Sequence, residues 1–257
     1  MAPVFKIYPY KKGSAGARNL AQAMEKQLGY KVFRVDPEYI IQKNEWIINW
    51  GSGYFRVFPI RGGTNIRVFN PKERVCLCVN KSDFFRAVEA TVNLPDYTHN
   101  YTTALGWVNN GHKVYCRTNE EGKDGDGIVV ATTQSKLSEG ACHLYTKAVD
   151  ANKEYRVHLF GHKPIFDLEK YHEDGSVKNQ DVRSGKLGWH YTRETVVPDE
   201  AKAQAVACSR ALKMDFVAVD LLYNTKTKKV TVLEANSAPE LGPWTSAAYA
   251  RCFAALL

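Results

Sequence analysis

Two carboxylates and an amide stand close together in "VAVDLLYNTKTKKVTVLEANSAPE", residues 217–240. Alternate residues of a strand share a face, so Glu234 and Asn236 project together. The stretch reads as a β-hairpin turning near Lys226. A symmetric register sets Asp220 opposite Val232 and places Glu234 on the diagonal, roughly 7–8 Å away on the same face. Asp220, Glu234 and Asn236 then converge as an all-oxygen set, the kind of ligand that a hard cation such as Mg²⁺ takes, commonly shared with nucleotide phosphates. Asp220 lies inside an apolar run, where an unpaired carboxylate is costly and a bound cation would relieve it. The alternative is purely structural: Asp220 pairs with a lysine and Glu234 ends at a solvated edge.

A second polar constellation lies in "EYRVHLFG", where Glu154, Arg156 and His158 alternate with Tyr155, Val157 and Leu159. One face of that strand is polar and the other apolar. A solvated face is the ordinary reading, but a Glu-x-Arg pair on a sheet also suits a sugar hydroxyl and a phosphate. Between the strand-like "GHKVYCRT" and "GIVVATT" runs "NEEGKDGDG", whose glycines permit backbone N–H groups to turn toward a phosphate. A flexible hairpin is the plainer explanation. The loop "KKGSAG", ahead of the first helix, also invites a phosphate-binding reading. It is not a P-loop, because G-x-x-x-x-G-K-[ST] is absent, and a simple strand-to-helix turn is favoured.

The elements that must position these groups read as follows. "VFKIYPY" is a strand, "ARNLAQAMEKQLG" a helix with Leu20, Met24 and Leu28 on one stripe and Gly29 as its stop, and "YKVFRV" and "EWIINWGSG" two more strands. This β-α-β-β start implies an open α/β sheet. "VCLCV" reads as a buried strand with Cys76 and Cys78 on one face. "NKSDFFRAVEATVNLP" reads as a helix capped by Ser82 and ended before Pro95. "HLYTKAV" and "GHKPIFDLEKY" are strand-like, "DEAKAQAVACSRALKM" is the clearest helix, and the terminal "WTSAAYARCFAALL" is another.

The chain has 257 residues and can bury a sizeable core, about 70–75% of its unfolded surface at this size. No apolar run approaches the roughly 20 residues that span a bilayer. The start lacks the apolar stretch of a signal peptide. A soluble, cytoplasmic protein with no membrane partner is expected. The six cysteines include no C-x-x-C and need no disulfide framework in so large a core. A net charge of +8 favours anionic partners without selecting one.

At this point the ordered motifs "INWGSG", "VNKSDFF", "VYCRTNEEGKDGDGIVV", "HLYTKAV", "EYRVHLFGHKPIFDLEKY", "DVRSGKLGW", "MDFVAVDLLY" and "VLEANSAPEL" resemble the RimK-like carboxylate–amine ligases of the ATP-grasp superfamily, most of all the small phage-encoded members. The likeness runs from about residue 45 to the end. The resemblance implies an α/β (α+β) ATP-grasp fold with a Rossmann-like pre-ATP-grasp domain over 1–80, a lid subdomain over 81–147 and a C-terminal Mg/ATP subdomain over 148–257. It implies ATP with Mg²⁺ (or Mn²⁺) as cofactor, the metal on Asp220, Glu234 and Asn236. Lys81 and Arg117 stand where basic residues meet the nucleotide. Lys123, Gly125 and Gly127 belong to the loop that closes over the phosphates. Lys147 and Ala148 resemble the hinge that pairs with adenine through backbone groups, Glu154 the ribose ligand, and Lys170 a further phosphate contact. Arg156 and Arg183 are the implied catalytic residues, facing the γ-phosphate and an acyl-phosphate. The implied reaction joins a carboxylate to an amine through that acyl-phosphate; the basic charge makes an acidic peptide, a protein tail or a nucleic-acid-linked substrate a reasonable guess. Two departures stand out: Ala235 is smaller than the family's usual hydrophobic residue, and Asp126 puts a negative charge in the phosphate loop.

Two other readings compete. A basic nucleic-acid-binding protein on a retired scaffold agrees with the charge, but gives the carboxylates beside the phosphates no use. An ATP-grasp phosphotransferase would keep the nucleotide site and lose the amine.

Overall fold

The structure is a computed structural model that describes residues 2–36, 38–54, 58–59, 65–122, 125–139, 142–173 and 181–257. The N-terminal stretch holds β1 (Val4–Pro9), β2 (Phe33–Arg34), β3 (Ile40–Ile41), β4 (Glu45–Trp50), β5 (Phe58–Pro59) and β6 (Arg67–Phe69). Strands β2-β1-β4-β6 pair in that order, all parallel, with β3 and β5 as a small side ribbon. A parallel pair needs a crossover, and helix α1 (Ala15–Leu28) supplies it between β1 and β2. Leu20 and Met24 are buried on its inner face, and Gly29 ends it in the left-handed region.

A second sheet follows, in the order β7-β10-β8-β9: β7 (Tyr97–Thr98), β8 (Val114–Arg117), β9 (Ile128–Ala131) and β10 (Leu144–Lys147). The third runs β13-β12-β11-β14-β15: β11 (Lys153–Phe160), β12 (Lys163–Tyr171), β13 (His190–Thr192), β14 (Phe216–Tyr223) and β15 (Val230–Asn236). Both are antiparallel. The other helices are α2 (Lys72–Val79), α3 (Lys81–Val88), α4 (Tyr101–Asn109), α5 (Gln134–Glu139), α6 (Asp199–Ala211) and α7 (Pro243–Ala254). Among the described residues no helix is long and apolar enough to cross a membrane.

The cores cross between these sheets. Phe5, Ile7 and Trp50 of the parallel sheet share one core with Phe216 of β14 and with Tyr249 and Phe253 of α7. Phe84 and Phe85 of α3 pack with β11, β14 and α6 in another. Rings in the first of these cores meet mostly edge to face, as Phe69 and Phe216 do against Phe253, a geometry that suits aromatic quadrupoles.

Two expectations need correction. "VCLCV" is not a strand but part of α2, and Cys76 is exposed while Cys78 is half-buried. Pro71 precedes α2 and Glu73 sits in its first turn, both good helix-start features. The short apolar run could not be told from a strand by periodicity alone. The cap of α3 is Asn80, whose Oδ1 accepts from Asp83 N–H at 3.0 Å, rather than Ser82.

One close approach joins the N-terminal sheet to the loop after β15. Gly51 has φ +79°, and a Cβ built on it would lie 2.4 Å from Ala238 Cβ. Replacing it with alanine adds both backbone strain and a clash. Gly51→Ala should therefore lower stability by about 1–3 kcal/mol, read as a shift of the urea midpoint at unchanged slope. An unshifted midpoint would mean that the two loops do not meet this way.

Candidate active site

The β14–β15 hairpin does not follow the symmetric register. Tyr223 faces Val230 and Leu221 faces Val232, and then the register shifts so that Asp220 lies opposite Glu234. Leu233 is the extra residue of a β-bulge. Without it, Asp220 would face Leu233 and Glu234 would turn to the other side of the sheet, because side chains alternate. The bulge therefore brings the two carboxylates together more closely than the diagonal expected from the sequence.

Asp220 is 3% exposed. Arg156 lies directly opposite it on β11 and grips it with a two-pronged fork, Nε to Oδ1 at 2.6 Å and Nη2 to Oδ2 at 2.7 Å. Asn236 Nδ2 donates to Asp220 Oδ2 at 3.3 Å and to Glu234 Oε1 at 3.0 Å. Lys81, from the start of α3, donates to Glu234 Oε2 at 2.8 Å and to the bulged Leu233 carbonyl at 3.4 Å. Arg117 Nε is buried beside this group with no hydrogen-bond partner among the described residues. The Lys81 ammonium holds the Glu234 carboxyl well below the usual carboxylate range. Burial pulls Lys81 downward and Glu234 opposes it. Burial also works against the charge of Arg156, but Asp220 outweighs it and keeps the guanidinium protonated.

The polar face of β11 is not solvated. Glu154 is 4% exposed and His158 is fully buried. Burial pushes Glu154 upward, and the facing Lys170 ammonium draws it back. Lys170 pairs with Glu154 Oε1 and donates to the Arg183 carbonyl at 3.0 Å. The Arg183 guanidinium lies 3.5 Å from Glu154 Oε2 and over the Trp189 ring at 4.9 Å. Both oxygens of Glu154, the expected ribose ligand, thus have cationic partners. His158 is driven to a pKa of about 3 by burial and by Arg156, so it stays neutral, its Nδ1 3.2 Å from the Tyr249 hydroxyl.

The second sheet forms the opposite wall. Gly125 has φ +83°, and a Cβ there would sit 2.3 Å from Val182 Cγ1. Lys113 pairs with Asp181, a second tie between this wall and the 181–189 segment. Asp126 is exposed, with Asn119 Nδ2 3.4 Å from its carboxylate. Gly127 also has a positive φ. Lys123 lies outside the described residues. At the hinge, Lys147 N–H is bonded to Asp96 O and Ala148 N–H to Lys113 O, both at 2.9 Å. Those two N–H groups are therefore not donors for a base, whereas Val149 N–H makes no hydrogen bond among the described residues. The Lys147 side chain turns to Asp96 at 2.7 Å. The walls enclose a cleft of about 2130 Å³, lined by Lys81, Arg117, Glu154, Arg156, Lys170, Arg183, Asp220, Glu234 and Asn236.

Sequence reasoning missed Tyr191. Its ring on β13 lies 4.6 Å from the Arg156 guanidinium and 5.4 Å from Lys170 Nζ, a cation–π floor for both. Nothing in "LGWHYTRET" signals this, because it arises only when β13 pairs with β12. Trp189, under Arg183, was missed for a similar reason.

The donor set fits a hard divalent cation. One amide nitrogen already reaches both carboxylates, so they share a point at which a cation can be held, and turning that amide presents an oxygen. Among the described residues no group of three or more His, Cys, Asp or Glu converges. Two carboxylates and an amide leave coordination positions to ligands such as phosphate oxygens.

No protein-family model matches the sequence, and no curated protein matches it. Solved structures do match in three dimensions. The ATP-grasp ligase PsnB, complexed with minimal precursor, superposes with a TM-score of 0.71 at 10% identity over 100% of both chains. The macrocyclase MdnC from Microcystis aeruginosa MRC, bound with precursor peptide MdnA, gives 0.66 at 11% identity over 99% of this chain and 100% of that one. D-alanine–D-alanine ligase from Bacillus anthracis, complexed with ATP, gives 0.65 at 12% over 98% and 95%. The chain has the ATP-grasp fold. The cleft just described lies between the two antiparallel sheets of that ATP-grasp fold.

The depressed carboxyl of Glu234 fixes a pH dependence. Its contribution to stability is complete above the ordinary glutamate value of about 4.3 and is lost as pH falls through the lower folded-state value. Glu234→Gln should be less stable than the parent at neutral pH, and the gap in urea midpoint should close as pH drops below about 4. A gap that stays constant into acid would rule out an ionised, Lys81-paired Glu234.

Proposed function

We propose that the protein is an ATP-dependent carboxylate–amine ligase that makes an amide through an acyl-phosphate. One observation carries this reading: two carboxylates and an amide converge with Lys81, Arg117 and Arg156 at one end of a sheet, inside a cleft walled by a glycine loop. The comparisons supply the fold, and PsnB has been seen with Mg and ADP. Kinship with the small phage-encoded members rests on the sequence motifs alone.

Asp220, Glu234 and Asn236 would hold Mg²⁺, which when bound neutralises charge on the nucleotide phosphates. Lys81, Arg117 and the glycine loop would hold the phosphates, with Lys170 as a more distant support through Glu154 and Arg183. The hinge at Lys147, Ala148 and Val149 would take the base, Val149 N–H as donor and the neighbouring carbonyls as acceptors. A substrate carboxylate displaces ADP from the γ-phosphate, and an amine then displaces phosphate from the acyl group. Arg156, fixed by Asp220 and Tyr191, and Arg183, seated on Trp189, would face charge that grows on the transferring group. Preorganised donors of this kind are the largest single source of rate in such reactions. The substrate we favour is an acidic peptide or protein tail, in line with the basic chain and with precursor peptides bound by PsnB and MdnC.

Hydroxylamine tests the intermediate directly. With ATP, Mg²⁺ and a library of acidic peptides, the protein should form a hydroxamate on one of them and release one ADP per hydroxamate. Arg183→Ala should bind ATP and Mg²⁺ nearly as the parent does, by calorimetry, while hydroxamate formation falls by about two orders of magnitude. Arg183→Lys should restore only part of it, since lysine keeps the charge and loses the planar fork. Parent-like turnover of Arg183→Ala would return that residue to a structural role. Failure of the parent to bind ATP with Mg²⁺ would overturn the ligase reading itself.

A further inference from the structure

The reaction above uses none of the six cysteines, and two of them meet. Cys116 is fully buried on β8. Cys142 is half-buried, two residues ahead of β10. The two strands pair antiparallel, with Cys116 opposite Tyr145 and Arg117 opposite Leu144. The chain bends at His143, and Cys142 packs against the core that Cys116 shares with Ala104, Val114, Leu137 and Tyr145. There the Cys142 thiol donates to the Leu144 carbonyl at 3.2 Å and lies against the Cys116 thiol.

The surroundings of the two sulfurs differ. A Cys142 thiolate accepts from the Cys116 thiol, and the N–H groups of Leu144 and Arg117 also turn to it. Led by the Cys116 thiol, these donors outweigh burial and bring Cys142 down to about 7, below the ordinary thiol value of about 8.5. The same contact, together with burial, pushes Cys116 up and keeps it protonated. One sulfur is thus a half-buried nucleophile, and its neighbour is a thiol that carries a proton. A low-pKa thiol beside a second thiol is the arrangement in which the first is oxidised and the second resolves it. Cys78 and Cys208 share a different core, but burial pushes both of them up, Cys78 to about 12. Arg117 connects the first pair to the cleft. It follows Cys116 in β8, and against burial its charge is favoured by Glu234 and then by Cys142.

We propose that Cys142 is a site of oxidation by hydroperoxides and Cys116 its resolving thiol, the two closing into a reversible disulfide that shifts Arg117 in the cleft. The Cys142 thiolate attacks one peroxide oxygen. The O–O bond breaks, the other oxygen leaves and takes up a proton, and Cys142 becomes a sulfenic acid. Its sulfur loses two electrons and the peroxide gains them. The Cys116 sulfur then attacks the Cys142 sulfur. The S–O bond breaks, and hydroxide leaves with the Cys116 proton as water. A dithiol reverses the bond by exchange and is oxidised in turn. The disulfide ties β8 to the chain that enters β10, one residue from Arg117. The thiol chemistry stands apart from the ligase reading, and only its effect on nucleotide rests on that reading.

The test uses the full chain, hydrogen peroxide and peptide mass spectrometry. Alkylation of Cys142 by iodoacetamide should rise with a midpoint near pH 7. Peroxide should yield a linked peptide pair holding Cys116 and Cys142, reversed by dithiothreitol, while Cys78 and Cys208 stay unlinked. In Cys116→Ala, which keeps the buried site apolar, dimedone should trap a sulfenic acid at Cys142 that the parent resolves. Cys142→Ser should leave Cys116 unoxidised. Absence of the Cys116–Cys142 pair, equal dimedone labelling of the parent and Cys116→Ala, or an alkylation midpoint at the ordinary thiol value of about 8.5 would overturn the proposal. By calorimetry, the oxidised parent should bind ADP with Mg²⁺ several-fold more weakly than the reduced one, and peroxide should leave the affinity of Cys142→Ser in place. Equal affinities of the oxidised and reduced parent would remove the link to Arg117. If the reduced parent does not bind ADP with Mg²⁺, the ligase reading fails, and the mass spectra still decide the thiol pair.

Discussion

The site depends on the fork between Arg156 and Asp220. Each charge is nearly out of water, and an isolated ion in that position costs several kcal/mol. The bidentate geometry satisfies both oxygens of Asp220 at 2.6 and 2.7 Å and fixes the plane of the guanidinium. Because the two residues are direct cross-strand neighbours, the fork also locks β11 against β14 at the centre of the five-stranded sheet. The Tyr191 ring covers a face of the guanidinium whose edge Asp220 holds.

Around this fork the charges alternate. Asn236 joins Asp220 to Glu234, Glu234 joins Lys81, and Arg117 stands beside them, its Nε without a partner among the described residues. A parallel arrangement one strand away links Lys170, Glu154 and Arg183. Each of these anions has a cationic partner within the protein. The bulge at Leu233 makes this possible. It turns Glu234 to the side of Asp220 and frees a carbonyl for Lys81.

The cleft is held together from three directions. Gly125 packs against Val182, and Lys113 against Asp181, so the glycine loop and the 181–189 segment form one edge. Gly51 meets Ala238 beside the α1 N-terminus, so the parallel sheet forms another. Phe216, Tyr249 and Phe253 tie that sheet to the third through a shared aromatic core. These contacts bring the carboxylate–amide cluster and the start of α1 into one cleft.

Much of this was legible in the sequence, for reasons of local chemistry. The alternation of Glu154, Arg156 and His158 marked one face of a strand, and Glu234 and Asn236 marked the end of another. Turn residues around Lys226 declared the hairpin, and the glycines of "NEEGKDGDG" declared a loop of close approach. The stripe of Leu20 and Met24 declared α1. What the sequence did not determine was anything set by non-local pairing. The bulge that moved Asp220 opposite Glu234 sits where Lys81, distant in sequence, reaches the Leu233 carbonyl. The pairing of β11 with β14, more than fifty residues on, decided that Arg156 meets Asp220 rather than solvent. "VCLCV" was a helix, with Val75 fully buried, Leu77 and Cys78 packed against the core and Cys76 left exposed. Tyr191 and Trp189 acquired their places under Arg156 and Arg183 only when distant segments closed around them. Local propensity and periodicity fix the face a side chain takes; burial, register and the partner across the sheet fix what that face meets.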